Sequence, residues 1–148
     1  MRRMGKSTLE FDRPPSILSH AAVGGKKEAE GPLGDQFDQT FGDTTLQADS
    51  WEKAEAQLQK EAVSIALEKA GLGPEGVDFI LAGDLLNQCI SSTFGLMDFQ
   101  IPFLGQYGAC STMAQTLLMA SILVESGAAG KALAVTSSHF CSAERQFR

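Results

Sequence analysis

The sequence has 148 residues, 43% hydrophobic and 20% charged, the composition of one ordinary globular domain rather than a disordered chain. Its net charge of −6, with basic residues clustered only as the short pairs Arg2-Arg3 and Lys26-Lys27, excludes a general nucleic-acid binder, which needs a dense run of Lys and Arg. Cys89, Cys110 and Cys141 lie at unpatterned spacings beside only two histidines, so neither a disulfide framework nor a metal site is expected, and no cofactor is implied.

The first residues, MRRMGKSTLEF, are basic but carry no apolar run behind them. No secretory signal and no transmembrane helix are expected, so the chain is expected on the cytoplasmic side of a membrane, and the unpatterned cysteines suit a reducing compartment. Residues 7–11 and 16–23 read as two short strands separated by Pro14-Pro15, and GGKKEAEGPLG then reads as a solvated loop whose far end packs back through Phe37 and Phe41. Asp49 followed by Glu52 resembles a capping box, opening an amphipathic helix that runs to Gly71. Its apolar stripe is Trp51, Ala54, Leu58, Ala62, Ile65 and Ala66, with Glu52, Lys53, Glu55, Lys60, Glu61, Glu68 and Lys69 assigned to a solvated face.

After the turn Gly73-Pro74, residues 77–82 form a compact apolar run of buried-strand type that ends at Gly83-Asp84. Ligands of open α/β sheets bind beyond the carboxyl ends of the strands, so Asp84, Asn87 and Gln88 are placed to face a site; Asp84 serves equally well as the cap of the next short helix. Residues 101–107 are strand-like, Gly108 permits a turn, and Ser111 opens an uncharged helix through Val124. Cys110 therefore sits at a strand-to-helix elbow, where first-turn N–H groups and the helix dipole lower a thiol pKa or hold an anion. Pro102, Gly105, Gln106 and Gly108 interrupt the run, leaving a helix shorter than the roughly 20 residues a bilayer requires. Residues 131–137 form a further strand that delivers Ser138 and His139. The alternation predicts an α/β fold with a mostly parallel sheet.

Four segments, EGPLGDQFD, LAGDLLNQ, IPFLGQYGACST and SSHFCSAERQFR, in this order and spacing, resemble the stage V sporulation AD family of spore-forming Firmicutes, within the thiolase-like superfamily. The resemblance runs from about residue 6 to residue 148. It implies a thiolase-like layered fold of which residues 1–148 supply the first, N-terminal βαβαβ half-domain, the half carrying the usual catalytic histidine and its partner being absent. It further implies a sporulation protein that binds dipicolinic acid, pyridine-2,6-dicarboxylate, either free or as its calcium chelate, and supports its uptake into the spore. Such a protein sits peripherally on the spore inner membrane beside other stage V sporulation membrane proteins. A ligand crevice is expected from Cys110, Asp84, His139 and Arg145, with no catalytic residue. The alternative is an acyl-transferring condensing enzyme of the ketoacyl synthase type with Cys110 as the acyl carrier, for which only His139 is available as a base. An uncharged helix lacking its other half is also expected to expose an apolar patch, self-associate or pack loosely.

Overall fold

The computed structural model describes residues 1–147. At its centre is a three-stranded parallel sheet of order β6-β5-β7, built from β5 (Phe79–Gly83), β6 (Phe103–Gly105) and β7 (Ala132–Thr136). The register pairs Ile80 with Phe103 on one side and Phe79 with Ala132 on the other, leaving β5 central and buried. Phe79–Gly83 is apolar throughout, as a strand covered on both faces must be. The crossovers are helical: α3 (Ile90–Leu96) lies between β5 and β6, and α4 (Thr112–Glu125) between β6 and β7. This is the layered, mostly parallel α/β fold expected from the order of the runs.

Helix α2 (Trp51–Ala70) covers the sheet, and Val63 and Leu67 pack with Val77, Ile80, Ala82, Leu96, Ile101 and Val135 in the core. Its N-cap is Ser50, whose Oγ accepts from the Lys53 N–H at 3.2 Å, not the expected Asp49, which instead pairs with Lys53 Nζ at 2.9 Å. Gly71 closes the helix in the left-handed conformation, φ 63°, which favours glycine. The buried residues are Ala54, Glu55, Gln59, Val63 and Leu67. Glu55 thus lies inside, contrary to its assignment to the solvated face. Residues 55, 59, 63 and 67 recur at four-residue steps, and that row, rather than the one through Leu58 and Ala62, faces the sheet.

The N-terminal region also departs from expectation. Arg2–Met4 (β1) and Thr8–Glu10 (β2) form an exposed antiparallel hairpin, which includes part of the first predicted strand. Of residues 16–23, only Val23 enters a strand: β3 (Val23–Gly24) pairs in parallel with β4 (Gln39–Thr40). The expected loop between them contains the short helix α1 (Lys26–Ala29), with Glu28 Oε2 accepting from the Gly25 N–H. Helix α5 (Phe140–Phe147) follows β7.

The predicted uncharged helix is α4, and only Thr112, Thr116 and Ala120 of it are buried. These three lie on the face toward the sheet, while Met113, Leu117, Leu118 and Met119 are 37–61% exposed. The expected apolar patch is therefore present on the described chain. No helix among the described residues is long and apolar enough to cross a membrane.

Candidate functional site

Three chain turns leave the carboxyl ends of the adjacent strands β6, β5 and β7, and carry Cys110, Asp84 and His139 respectively. Neighbouring strands lie about 4.8 Å apart, so the outer two turns begin roughly 10 Å from each other. The centre is tightly built. A Cβ on Gly83 would stand 1.9 Å from Gln106 O and 2.8 Å from Thr112 Cγ2, so only glycine allows the Cys110 turn to close over the end of β5.

Cys110 is exposed, in the single turn Ala109–Ser111 that leads into α4. Ala109 holds φ 47°, a strained conformation for a residue with a Cβ, and its strain is offset by local bonds. The Gly108 N–H donates to Thr112 Oγ1 at 3.1 Å and the Ser111 hydroxyl donates to Gly108 O at 2.7 Å. No side chain caps α4, whose start is continuous with this turn: the Ser111 N–H donates to Gly108 O at 2.9 Å and the Thr112 N–H to Ala109 O, and the positive end of the helix dipole lies beside the thiol.

Asp84 is buried, and both its oxygens are used. Oδ1 accepts from the Leu86 N–H at 2.8 Å; Oδ2 accepts from the Ser92 N–H at 2.8 Å and the Ser92 hydroxyl at 2.6 Å. Of the two readings of Asp84, the structure shows the one in which it fixes the turn into α3. Gln88 and Cys89 adopt left-handed φ of 58° and 51° in that turn, and the Cys89 thiol donates to Gln106 O at 3.3 Å, tying the β5 and β6 turns together. Burial pushes the Cys89 thiol pKa up.

From Asp84 a buried polar chain runs under the strand ends. Gln59 Nε2 donates to Ser92 Oγ at 2.8 Å and to Ser137 Oγ at 2.7 Å. The Ser137 hydroxyl donates to Glu55 Oε1 at 2.7 Å, and the Ser142 hydroxyl donates to Glu55 Oε2 and approaches His139 O at 2.8 Å. Burial raises the Glu55 pKa, against the lowering pull of the Ser142 and Ser137 hydroxyls. His139 closes the chain, with Nε2 2.8 Å from Thr44 O and its ring 5.7 Å from Trp51. Its Nδ1 is buried without a partner, as is Gln59 Oε1. Arg145, one helix turn beyond Cys141, is exposed and lies 3.5 Å from Glu52.

Of the four expected site residues, Asp84 and His139 are joined through Gln59, Glu55 and the serines, Arg145 flanks this network at Glu52, and Cys110 stands outside it on the solvent side. Sequence reasoning missed Glu55, Gln59, Ser92, Ser137 and Ser142. Glu55 and Gln59 precede Val63 and Leu67 at four-residue spacing, which was the available signal. The serines carried none, because their partners come from distant parts of the chain.

The parallel α/β layer with a cysteine elbow at the carboxyl edge of the sheet is a thiolase-like fold. The structure of 3-oxoacyl-[acyl-carrier-protein] synthase III from Aquifex aeolicus VF5 is similar, with a TM-score of 0.53 and 22% identity over 60% of this chain and 30% of that one, a likeness that concerns the fold alone. Residues 5–148 match the family of stage V sporulation protein AD, and the chain belongs to that family. Stage V sporulation protein AD of Bacillus subtilis (strain 168) is 46% identical over 148 residues, the whole of this chain but 44% of the relative's length.

Proposed function

We propose that the chain supplies the first half of a non-catalytic sporulation protein that binds dipicolinic acid and supports its uptake into the developing spore. Membership of the sporulation AD family supports the biological setting. The observation that carries the reading is the environment of Cys110. An exposed thiol lies at the start of α4, by the positive end of the helix dipole, a position suited to an anion, while His139 is turned into Thr44 O and Trp51. A thiol used for acyl transfer requires a base within hydrogen-bond reach, and His139 is engaged elsewhere. In this reading a carboxylate of the ligand takes the α4 start, Arg145 contributes charge from α5, and Asp84 and His139 shape the site from beneath. The whole protein acts peripherally at the cytoplasmic face of the spore inner membrane, with stage V membrane proteins as partners.

Isothermal titration of dipicolinic acid, with and without calcium, into the full-length family protein tests the reading. A charge-assisted hydrogen bond contributes about 1.5–3 kcal/mol, so Arg145→Ala is expected to weaken binding roughly tenfold to a hundredfold. Incubation with acyl-CoA is expected to leave the mass at Cys110 unchanged. An acyl adduct that disappears in Cys110→Ser would overturn the non-catalytic reading in favour of a condensing enzyme. Absence of any dipicolinate binding would remove the ligand assignment.

A further inference from the structure

The β1–β2 hairpin stands out from the rest of the chain. Every residue from 1 to 10 is exposed, and the cross-strand pairs are Arg2 with Glu10, Arg3 with Leu9 and Met4 with Thr8. The turn between the strands is Gly5-Lys6-Ser7, in which Gly5 takes a left-handed φ of 62°. A two-stranded ribbon is at best marginally stable by itself, so its position depends on what holds its base. That hold is Glu125 at the end of α4, whose carboxylate accepts from the Asp12 N–H at 2.8 Å and from the Arg13 N–H at 3.2 Å. The hairpin therefore projects from a defined point on the body.

Its chemistry differs from that of the body. Residues 1–13 hold four of the twelve basic side chains and only two of the eighteen acidic ones, so the acidic excess of the chain lies entirely in residues 14–148. Glu10 is ion-paired with Arg2. The Arg3 guanidinium donates to Gly5 O and Lys6 O, contacts that leave its charge unneutralised and fix it at the turn that carries Lys6. Lys6 and Arg13 are exposed. Among these charges stand two apolar side chains that the fold does not cover, Met4 at 46% and Leu9 at 41% exposure. Successive residues of a strand point to opposite faces, so Leu9 shares one face of the ribbon with Arg3 while Met4 lies on the other.

A tip of mixed cationic and apolar side chains matches the headgroup region of a bilayer, where phosphates lie next to acyl chains. We propose that this hairpin is the surface by which the protein meets an anionic lipid bilayer, Arg3, Lys6 and Arg13 taking headgroup phosphates while Met4 and Leu9 enter between the headgroups. This contact rests on the peripheral membrane location proposed above and gives that location a surface. An anionic membrane repels the acidic remainder of the chain, so the hairpin approaches first and sets the orientation. The other basic pair is unsuited to the role, since Glu30 lies 3.9 Å from the Lys26 amine and 3.6 Å from that of Lys27, with Glu28 on the same short helix. A convex finger also suits a fluid lipid surface, which needs no matched pocket, better than a folded acidic protein, which does.

Sedimentation with vesicles tests the contact, using phosphatidylcholine alone and phosphatidylcholine mixed with phosphatidylglycerol. The wild-type chain is expected to bind only the mixed vesicles and to be released as the salt concentration rises. A basic residue near an anionic surface strengthens binding about fivefold, so Lys6→Gln combined with Arg13→Gln is expected to weaken it roughly 25-fold. Met4→Ser combined with Leu9→Ser should weaken binding at every salt concentration, and Lys26→Gln with Lys27→Gln should leave it unchanged. All these positions are exposed except Lys26, which is half-buried, and each variant is expected to keep the wild-type urea midpoint closely. Wild-type binding that the hairpin variants retain would overturn the proposal while leaving the peripheral location standing. Equal binding to both kinds of vesicle would also overturn it, because an apolar surface such as the exposed face of α4 would then be the attachment. Absence of binding to the mixed vesicles would overturn the lipid contact, and retention on immobilised polyglutamate would then assign the hairpin to an acidic protein. The location itself is tested separately, by whether the full-length protein fractionates with the membranes of sporulating cells.

Discussion

Glu55 is the residue on which the buried polar chain depends. It is fully buried, accepts hydrogen bonds from Ser137 and Ser142 on either side of the β7–α5 junction, and has its carboxyl pKa raised by burial. A carboxyl with a higher pKa in the folded than in the unfolded state binds more protons when folded. Its stabilising contribution is complete below the ordinary value of 4.5 and is lost as the pH rises through the folded value. Asp84, an acidic neighbour, adds to the upward shift, while His139 opposes it. Glu55→Gln cannot ionise, so the urea midpoint of the wild-type chain is expected to fall relative to that of the variant as the pH is raised from 4.5 toward 7. A constant difference between the two across that interval would show that Glu55 does not titrate there.

At the level of elements, α4 shows how far the sequence could be read and where reading stopped. Its helical character and lack of charge were visible in residues 111–124, and the three parallel strands were visible as apolar runs ending at Gly83-Asp84, at Gly108 and at Ser137-Ser138. The location of Cys110 before a helix was equally legible, because Gly108 and the change of pattern are local. What could not be read was contact made through distant segments. Glu55 looks like any solvated glutamate until Ser137 and Ser142 are brought to it, and residues 16–22 have strand-like composition yet find no partner edge. Helix α4 itself keeps Leu118 at 50% and Met119 at 37% exposure. Fully burying such a side chain stabilises by about 1.5–3 kcal/mol, so an uncovered pair favours association. The double variant Leu118→Lys, Met119→Lys is expected to bind less of an apolar dye and sediment with a larger monomer fraction. Its own folding stability should change by about 0.5 kcal/mol or less per site, as for exposed positions generally.

At the scale of the whole molecule, the chain belongs to a family whose relative is more than twice as long, yet it contains a sheet, a covering helix and a shared core. The pairing of β5 with β7 has a consequence in time. Phe79 must find Ala132 across α3, β6 and α4, and the central strand has only one neighbour until β7 arrives. Parallel pairings between distant segments close slowly, on the order of milliseconds to seconds in small domains, because the loop entropy is lost before the contacts form. During synthesis β5 and β6 leave the ribosome well ahead of β7, and Ser137 and Ser142, which hold Glu55, follow β7. Nascent chains arrested with β6 exposed but β7 still in the exit tunnel are therefore expected to be cleaved rapidly by a protease within residues 79–105. Chains arrested with α5 fully emerged should resist. Equal resistance at both lengths would mean that α2 and α3 alone can shelter the strand, and that this part of the molecule acquires its order before β7 is available.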